Sequence, residues 1–288
     1  MSKISVTTIA GLTSGGDANT VKIESGDELN VVNGDLTVDT STLKVDSSNN
    51  RVGMGTASPS RQVMISRSIA DGSGELGIVS SDSSTSGALG NIHFGNSTDT
   101  SLASIRATAD GATDSAKLEF NTEKTGAAIE TAMRIDSNGR VTKPLQPSFS
   151  ASYTGTAGFQ DPASGLAAVP FNTTSAHANN HNIGNHYNTT NYRFTAPVAG
   201  RYLFMVVLGH LYMSHNEHLV LEFRKNGTRY AYSYKHVNNI SGDNYYDSGE
   251  MFTLMNLAVN DYVTFTMGGN GQYYKGPSEL SFAGHLLG

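Results

Sequence analysis

The chain has 288 residues and a mass of 30.5 kDa, room for one large domain or two ordinary ones. Nineteen basic residues against 25 acidic ones give a net charge of −6 with no basic block, which argues against a nucleic-acid binder. The absence of Cys excludes disulfides and thiolate metal sites, and no apolar run approaches the roughly 20 residues of a membrane-spanning helix. Gly, Ser, Thr and Asn fill the space left by 38 % apolar and 15 % charged residues, and all four are weak helix formers, so an all-β chain is expected. The segment Met1–Thr8 lacks the apolar stretch of a signal peptide.

The composition changes abruptly near Lys143-Pro-Leu-Gln-Pro147. Residues 1–147 contain no Tyr and only Phe94 and Phe120, whereas residues 148–288 contain all 13 Tyr. Two prolines three apart favour an extended connector, so a domain boundary is placed there. With so few large apolar side chains, the first part buries too little to offset a backbone ordering cost of about 1–2 kcal/mol per residue. It is expected to share its core with other chains.

In chain order, the first signal is a seven-residue echo: Leu29-Asn-Val31, Leu36-Thr-Val38, Leu43-Lys-Val45. Two apolar residues two apart share a face on a strand but lie ~200° apart on a helix, so the echo predicts short strands and not a coiled coil. Leu43–Val52 recurs, one residue shorter, as Met133–Val141. Each copy reads as strand, Asx turn, strand. Between them Glu75–Val79, Leu89–Phe94, Ser101–Arg106 and Lys117–Phe120 read as further strands. Lys124–Met133 is the one stretch with helical character, and Gly126 weakens it.

The second part has stronger strands: Asn191–Ala196, a buried apolar run Gly200–Leu208, His218–Arg224, Arg229–Tyr234, Glu250–Met255, Asp261–Met267 and Glu279–Leu287. Asn226-Gly227 predicts a hairpin, because a tight type I′ turn needs positive φ at both residues. This many strands in such a length predicts a two-sheet jelly roll.

Several of these segments resemble the globular head of complement component one, subcomponent q, and the wider tumour-necrosis-factor-like jelly rolls. They are Val169-Pro-Phe-Asn172, His186-Tyr-Asn188, Tyr192–Phe204 with its Phe-x-Ala-Pro-x-x-Gly-x-Tyr-x-Phe core, Lys225-Asn-Gly227, Leu257–Val263 and Ser281–Leu287. The resemblance spans residues 148–288 and implies a ten-stranded jelly roll assembled as a homotrimer. The collagen-like repeat that often precedes such heads is missing. Leu36–Asp39 and Leu43–Pro59, with its Arg-Val-Gly-Met-Gly-Thr-x-x-Pro piece, resemble a segment of tail-fibre and virion-surface proteins of tailed bacteriophages, and Met133–Val141 resembles its closing element. That resemblance implies three chains wound into a β-rich shaft with a terminal knob.

Candidate chemistry is sparse. His177, His181 and His186 fall in an Asn-rich loop, and His215-Asn-Glu-His218 is not the zinc-protease motif. Asp243, Asp247 and Glu250 are close in sequence, and some heads of the resembled family bind calcium, but the spacing is not that of an EF-hand loop. No Gly-x-Ser-x-Gly elbow, phosphate loop or Cys nucleophile is present, so no catalytic residue, metal or cofactor is expected. The best binding candidates are Tyr245, Tyr246, Tyr273 and Tyr274, which sit among Gly, Asn and Asp. Loop Tyr residues supply rigid amphipathic contact area for sugars or protein surfaces, or else anchor the loop and pack at the trimer seam. Tyr230, Tyr232 and Tyr234 alternate and should face one way, in sheet packing or at an intersubunit face.

The sequence therefore predicts a non-enzymatic, homotrimeric virion fibre of a tailed phage, made in the bacterial cytoplasm. Residues 1–30 would anchor it to another virion protein of the tail or capsid, and residues 31–147 would form a β-rich intertwined shaft. Residues 148–288 would form a jelly-roll knob that binds a host-surface glycan or protein, with no nucleic acid and no membrane insertion. The alternatives are a capsid fibre or decoration, a secreted trimeric receptor ligand and a glycan-degrading spike.

Overall fold

The structure, a computed structural model, describes residues 36–38, 42–66, 74–81, 83–162, 165–238 and 245–288. The expected anchor at 1–30, the first echo at Leu29–Val31 and the calcium candidate Asp243 lie outside the described residues. The described residues form strands, turns and loops, with no helix among them. The chain divides into two units, Met1–Val79 and Ser80–Gly288.

In the first unit β1 (Leu36–Val38), β2 (Leu43–Asp46), β3 (Arg51–Met54) and β4 (Val63–Ile65) make one sheet in that order. The register pairs Leu36 with Val45 and Val38 with Leu43, so the seven-residue echo is a two-strand ladder. The expected Asx turn follows β2: the Asn49 backbone N–H and Nδ2 donate to the Asp46 carboxylate at 3.1 and 2.9 Å. Asn50 takes the positive φ that this turn requires. Strand β4 returns parallel to β3, and Arg51 Nη1 holds the intervening loop by donating to the Pro59 carbonyl at 2.9 Å.

The second unit begins with an antiparallel meander: β5 (Ala88–Phe94), β6 (Ala103–Ala109), β7 (Ala116–Glu123), β8 (Ile129–Ile135) and β9 (Val141–Thr142). The stretch with helical character is thus a turn followed by β8. Glu75–Val79, expected as a strand, pairs with nothing among the described residues, and Leu76, Ile78 and Val79 are exposed. The β8–β9 hairpin is the predicted copy of the first: Asp136 accepts from the N–H groups of Asn138 and Arg140, both at 2.9 Å, and pairs with the Arg140 guanidinium.

The register gives the meander two chemically opposite faces. One carries the rows Ile92–Ile105–Phe120–Met133 and Ala107–Leu118–Ile135–Val141. The other carries Asn91–Arg106–Glu119–Arg134 and His93–Ser104–Asn121–Thr131. Burial runs against the usual pattern. Ser104, Thr108, Glu119 and Asn121 are buried, whereas every apolar member of those two rows is half-buried or exposed, Ile92 to 42 %.

The remaining strands form a sandwich. They are β10 (Ser148–Ser152), β11 (Gly158–Gln160), β12 (Ala167–Ala168), β13 (His181–Ile183), β14 (Tyr187–Asn188), β15 (Arg193–Thr195), β16 (Gly200–Met213), β17 (His218–Lys225), β18 (Thr228–His236), β19 (Tyr245–Leu257), β20 (Tyr262–Gly269), β21 (Gln272–Lys275) and β22 (Leu280–Leu286). A seven-stranded sheet runs β11-β21-β16-β22-β10-β13 with β19 on the other side of β16, and a six-stranded sheet runs β14-β15-β20-β17-β18 with β12 against β20. Short edge strands that lack an alternating pattern, such as β11, β12 and β14, take the strand number past the ten expected.

The sandwich core is aromatic. Phe149, Phe171, Phe194, Tyr202, Phe204, Phe223, Phe265 and Phe282 are fully buried, and Phe149 stacks on Tyr187 with centroids 4.5 Å apart. The motif residues Phe194, Ala196, Tyr202 and Phe204 are all in it, and the Tyr202 hydroxyl donates to the Val198 carbonyl at 2.8 Å. Gly284 explains the Phe-x-Gly spacing near the C-terminus: a Cβ there would stand 2.5 Å from the Phe149 ring and 2.7 Å from that of Phe204. Asn226-Gly227 is the expected hairpin turn, with φ of 51° and 79°. The run Gly200–Leu208 is not buried throughout. Tyr202, Phe204, Val206 and Leu208 face the core, while Met205 and Val207 point outward, because a sheet in a two-layer sandwich has only one inner face.

Candidate functional site

The outer face of the seven-stranded sheet has two zones, divided where the register of β16 slips between Leu208 and Leu211. Before the slip β16 pairs with β22, and beyond it with β21. In the first zone Leu203 pairs with Leu254, Met205 with Phe252 and Val207 with Glu250. Met205, Val207, Leu254 and Phe252 are exposed, Phe252 to 80 %. All but Leu254 line a cavity of about 280 Å³ on this strand pair, together with Leu203, Val206, Glu250 and Met251.

Beyond the slip the surface turns aromatic. Phe159 on β11, Tyr212 on β16, Tyr246 on β19 and Tyr274 on β21 form one cluster. Ring centroids are 5.5 Å apart for Phe159–Tyr212, 6.2 Å for Phe159–Tyr246, 5.2 Å for Phe159–Tyr274 and 5.3 Å for Tyr212–Tyr246. His210 lies edge-on to Tyr274 at 6.0 Å, and its Nδ1 is 3.1 Å from Glu279 Oε2. Polar groups frame the cluster: Gln272 Nε2 donates to Asp161 Oδ1 at 2.7 Å, and Lys275 Nζ to Gln160 Oε1 at 3.2 Å. Such a surface offers ring faces for C–H groups and hydrogen-bonding partners at its rim.

The four sequence candidates separate here. Tyr246, 57 % exposed, and Tyr274 meet through Phe159 in the cluster. Tyr273 is 6 % exposed and faces the core, and burial first, then Tyr153 and Tyr192, pushes its hydroxyl up to about 12. Tyr245 pairs with Met213 and borders a different cavity beside Tyr234, Lys235 and Asp247. All four stand on strands and not on loops, because β19 and β21 begin in the Gly- and Asn-rich stretches that read as turns. Adjacent strand residues point to opposite faces, so one Tyr of each pair had to leave the surface cluster. Phe159, Tyr212 and His210 were missed. Parity counted from Tyr202–Leu208 would send Tyr212 inward, so only the slip after Leu208 brings it to the surface, and nothing local marks Phe159.

Tyr230, Tyr232 and Tyr234 are all exposed and alternate with half-buried Ala231, Ser233 and Lys235, the one-sided pattern that was expected, although Tyr230 is an extra residue in the β17–β18 register. Tyr230 donates its hydroxyl to the Leu254 carbonyl at 3.1 Å, while Tyr232 lies under the Arg229 guanidinium. Beside Tyr232 the carboxylate of Glu222 is fully buried, paired with Arg224 at 3.2 Å and with Arg229.

Among the described residues no group of three or more His, Asp or Glu side chains is placed to hold a metal. His181 Nδ1 lies 3.1 Å from the Asn179 carbonyl oxygen. Burial, then the charge of Lys124, holds the His186 imidazole below its usual range. Asp247 is paired with Lys235 at 2.8 Å. Among the described residues no helix is long and apolar enough to cross a membrane.

The C1q domain family matches residues 148–287, a span that contains the sandwich, the apolar zone and the aromatic cluster. Members of that family are non-enzymatic binding and recognition domains. Among solved structures, the globular domain of zebrafish complement 1qA protein is similar at 18 % identity and a TM-score of 0.31, covering 50 % of this chain and 98 % of that one. The comparison with curated proteins finds no match.

Proposed function

We propose that the chain is a homotrimeric recognition fibre whose C-terminal jelly roll presents the aromatic cluster to a surface ligand. The observation that carries this reading is that the described residues leave two apolar faces half-buried or exposed. One is the meander face with Ile92, Phe94, Phe120 and Met133, and the other is the sandwich face with Met205, Val207, Leu254 and Phe252. A soluble chain leaves such patches open only where something covers them. Further copies of the chain would cover both at once, and the C1q match supports a trimer.

The finer setting is the virion of a tailed phage, and the resemblance of residues 36–39, 43–59 and 133–141 to phage fibre segments supports it. In that setting residues 1–30 dock on the tail or capsid, residues 31–147 form the shaft and residues 148–288 the host-binding knob. Knob contacts that are individually weak add through effective concentration. A second reading is a secreted trimeric receptor ligand, favoured by the C1q match itself.

The test is the mass of the full chain in solution. The expected species is about 90 kDa, three times 30.5 kDa. A stable, folded monomer would overturn the reading. Adsorption of the labelled trimer to bacterial cells, lost with Tyr246→Ala and Tyr274→Ala, would separate the virion setting from a secreted ligand, which would bind animal cells instead.

A further inference from the structure

The polar face of the meander has chemistry that the fibre reading does not use. A cavity of about 200 Å³ opens on it, lined by Asn91, His93, Ser104, Arg106, Glu119 and Asn121 among others. Most of its lining is fixed by internal bonds. Arg134 donates to Glu119 Oε1 from Nε at 3.0 Å and from Nη2 at 2.9 Å, and Thr108 donates to Oε2 at 3.3 Å. Asn121 donates to Ser104 at 3.1 Å and accepts from Thr131 at 2.9 Å, and His93 Nδ1 meets Ser101 at 2.9 Å.

Arg106 is the exception. Its Nε is out of contact with solvent and has no hydrogen-bond partner, and no ion pair forms to it among the described residues. It stands opposite Glu119 in the register, but Arg134 and Thr108 already occupy both carboxylate oxygens of that residue. A guanidinium with no carboxylate of its own calls for a planar oxyanion, which the two terminal nitrogens can grip with two parallel bonds.

We propose that this cavity is a binding site for a carboxylated sugar, with Arg106 gripping the carboxylate. The neighbours of Arg106 decide between anions. The Glu119 carboxylate one strand away repels a dianion such as phosphate more than a monoanion. The amide of Asn91, the free ring nitrogen of His93 and the hydroxyl of Ser104 match sugar hydroxyls, and Ile129 at the border offers an apolar edge to the ring. The volume equals roughly six or seven waters at about 30 Å³ each, the scale of one sugar ring and not of a chain. The site lies on the face opposite the apolar rows and does not depend on the aromatic cluster.

The experiment is calorimetric titration of the full chain at low salt with glucuronate, with glucose, acetate and inorganic phosphate as comparison probes. Glucuronate is expected to bind at least about tenfold more tightly than each of the other three. Arg106→Gln should weaken glucuronate binding about tenfold or more, with Arg106→Lys between it and the parent. Tyr246→Ala should leave it unchanged. The inference is overturned if glucose or acetate binds as well as glucuronate, if phosphate binds more tightly, or if glucuronate fails to bind at tens of millimolar. It is also overturned if Arg106→Gln keeps the parent affinity. Circular dichroism of each variant checks the fold, and Arg106 has no partner whose loss would unfold the meander.

Discussion

The meander and the sandwich solve the same problem in opposite ways. The sandwich has two sheets, and its fully buried aromatic residues lie between them. The meander is one sheet whose two apolar rows stay half-buried or exposed, and apart from Ala109 its buried residues are polar, whereas the aromatic core runs from Phe149 to Leu286. Alternation is equally good in both. What differs is the second layer, which the sandwich has from its own chain and the meander lacks among the described residues. A sheet face becomes a core only when another layer covers it, so the same pattern yields a buried core in one region and an open apolar face in the other.

The comparison can be broken at its strongest point by core truncation. Phe282→Ala should cost about 3–5 kcal/mol, as loss of a buried aromatic ring does, whatever the protein concentration. Phe120→Ala in the meander should instead lower the melting temperature in a way that depends on concentration, because under the proposed trimer its half-buried ring would be fully covered only in the assembly. Equal, concentration-independent losses in a thermal melt would erase the distinction. Next, Phe252→Glu places a charge in the uncovered sandwich face and should shift the species of about 90 kDa to the 30.5 kDa monomer in light scattering, with the core intact. An unchanged trimer would mean that the face is covered by something else.

A smaller effect is expected at Glu222. Removing a buried partner from a charge cluster costs about 3–5 kcal/mol when the remaining charge is stranded, but Arg224 and Arg229 stay partly exposed, so Glu222→Ala should cost about 2 kcal/mol in denaturant unfolding. The smallest effect concerns acid. The bonds from Lys225, then Asn226 and the Ala258 N–H, hold the Asp261 carboxyl at about 2, below its ordinary 3.8. A lowered folded-state value means that the stabilisation is full above about pH 4 and fades as the pH falls toward 2. Asp261→Asn should therefore flatten the fall of the melting temperature between pH 5 and 2, a change read by calorimetry across that pH range.

Local chemistry made much of this legible. The paired hairpins at Asp46 and Asp136, the Asn226-Gly227 turn and the aromatic core motif from Phe194 to Phe204 each depend on residues within a dozen positions of one another, and each formed as expected. The candidate site was half legible. The doublets Tyr245-Tyr246 and Tyr273-Tyr274 marked the right strands, yet strand parity sent Tyr273 inward, and Phe159 joined the cluster from more than fifty residues away. Glu75–Val79 shows the opposite failure. Its apolar residues look like a strand, but a strand exists only with a partner, and no described residue provides one.

By itself, the sequence determined the all-β character, the change of composition near residue 147 and the turns, because these follow from backbone preferences and side-chain periods. Only the tertiary structure decided which face of each strand is covered, that Arg106 stands unpaired beside an occupied Glu119, and that four rings from four strands meet on one surface. Those outcomes depend on register between segments far apart in the chain, and a shift of one residue in any pairing would have sent a different set of side chains to the surface.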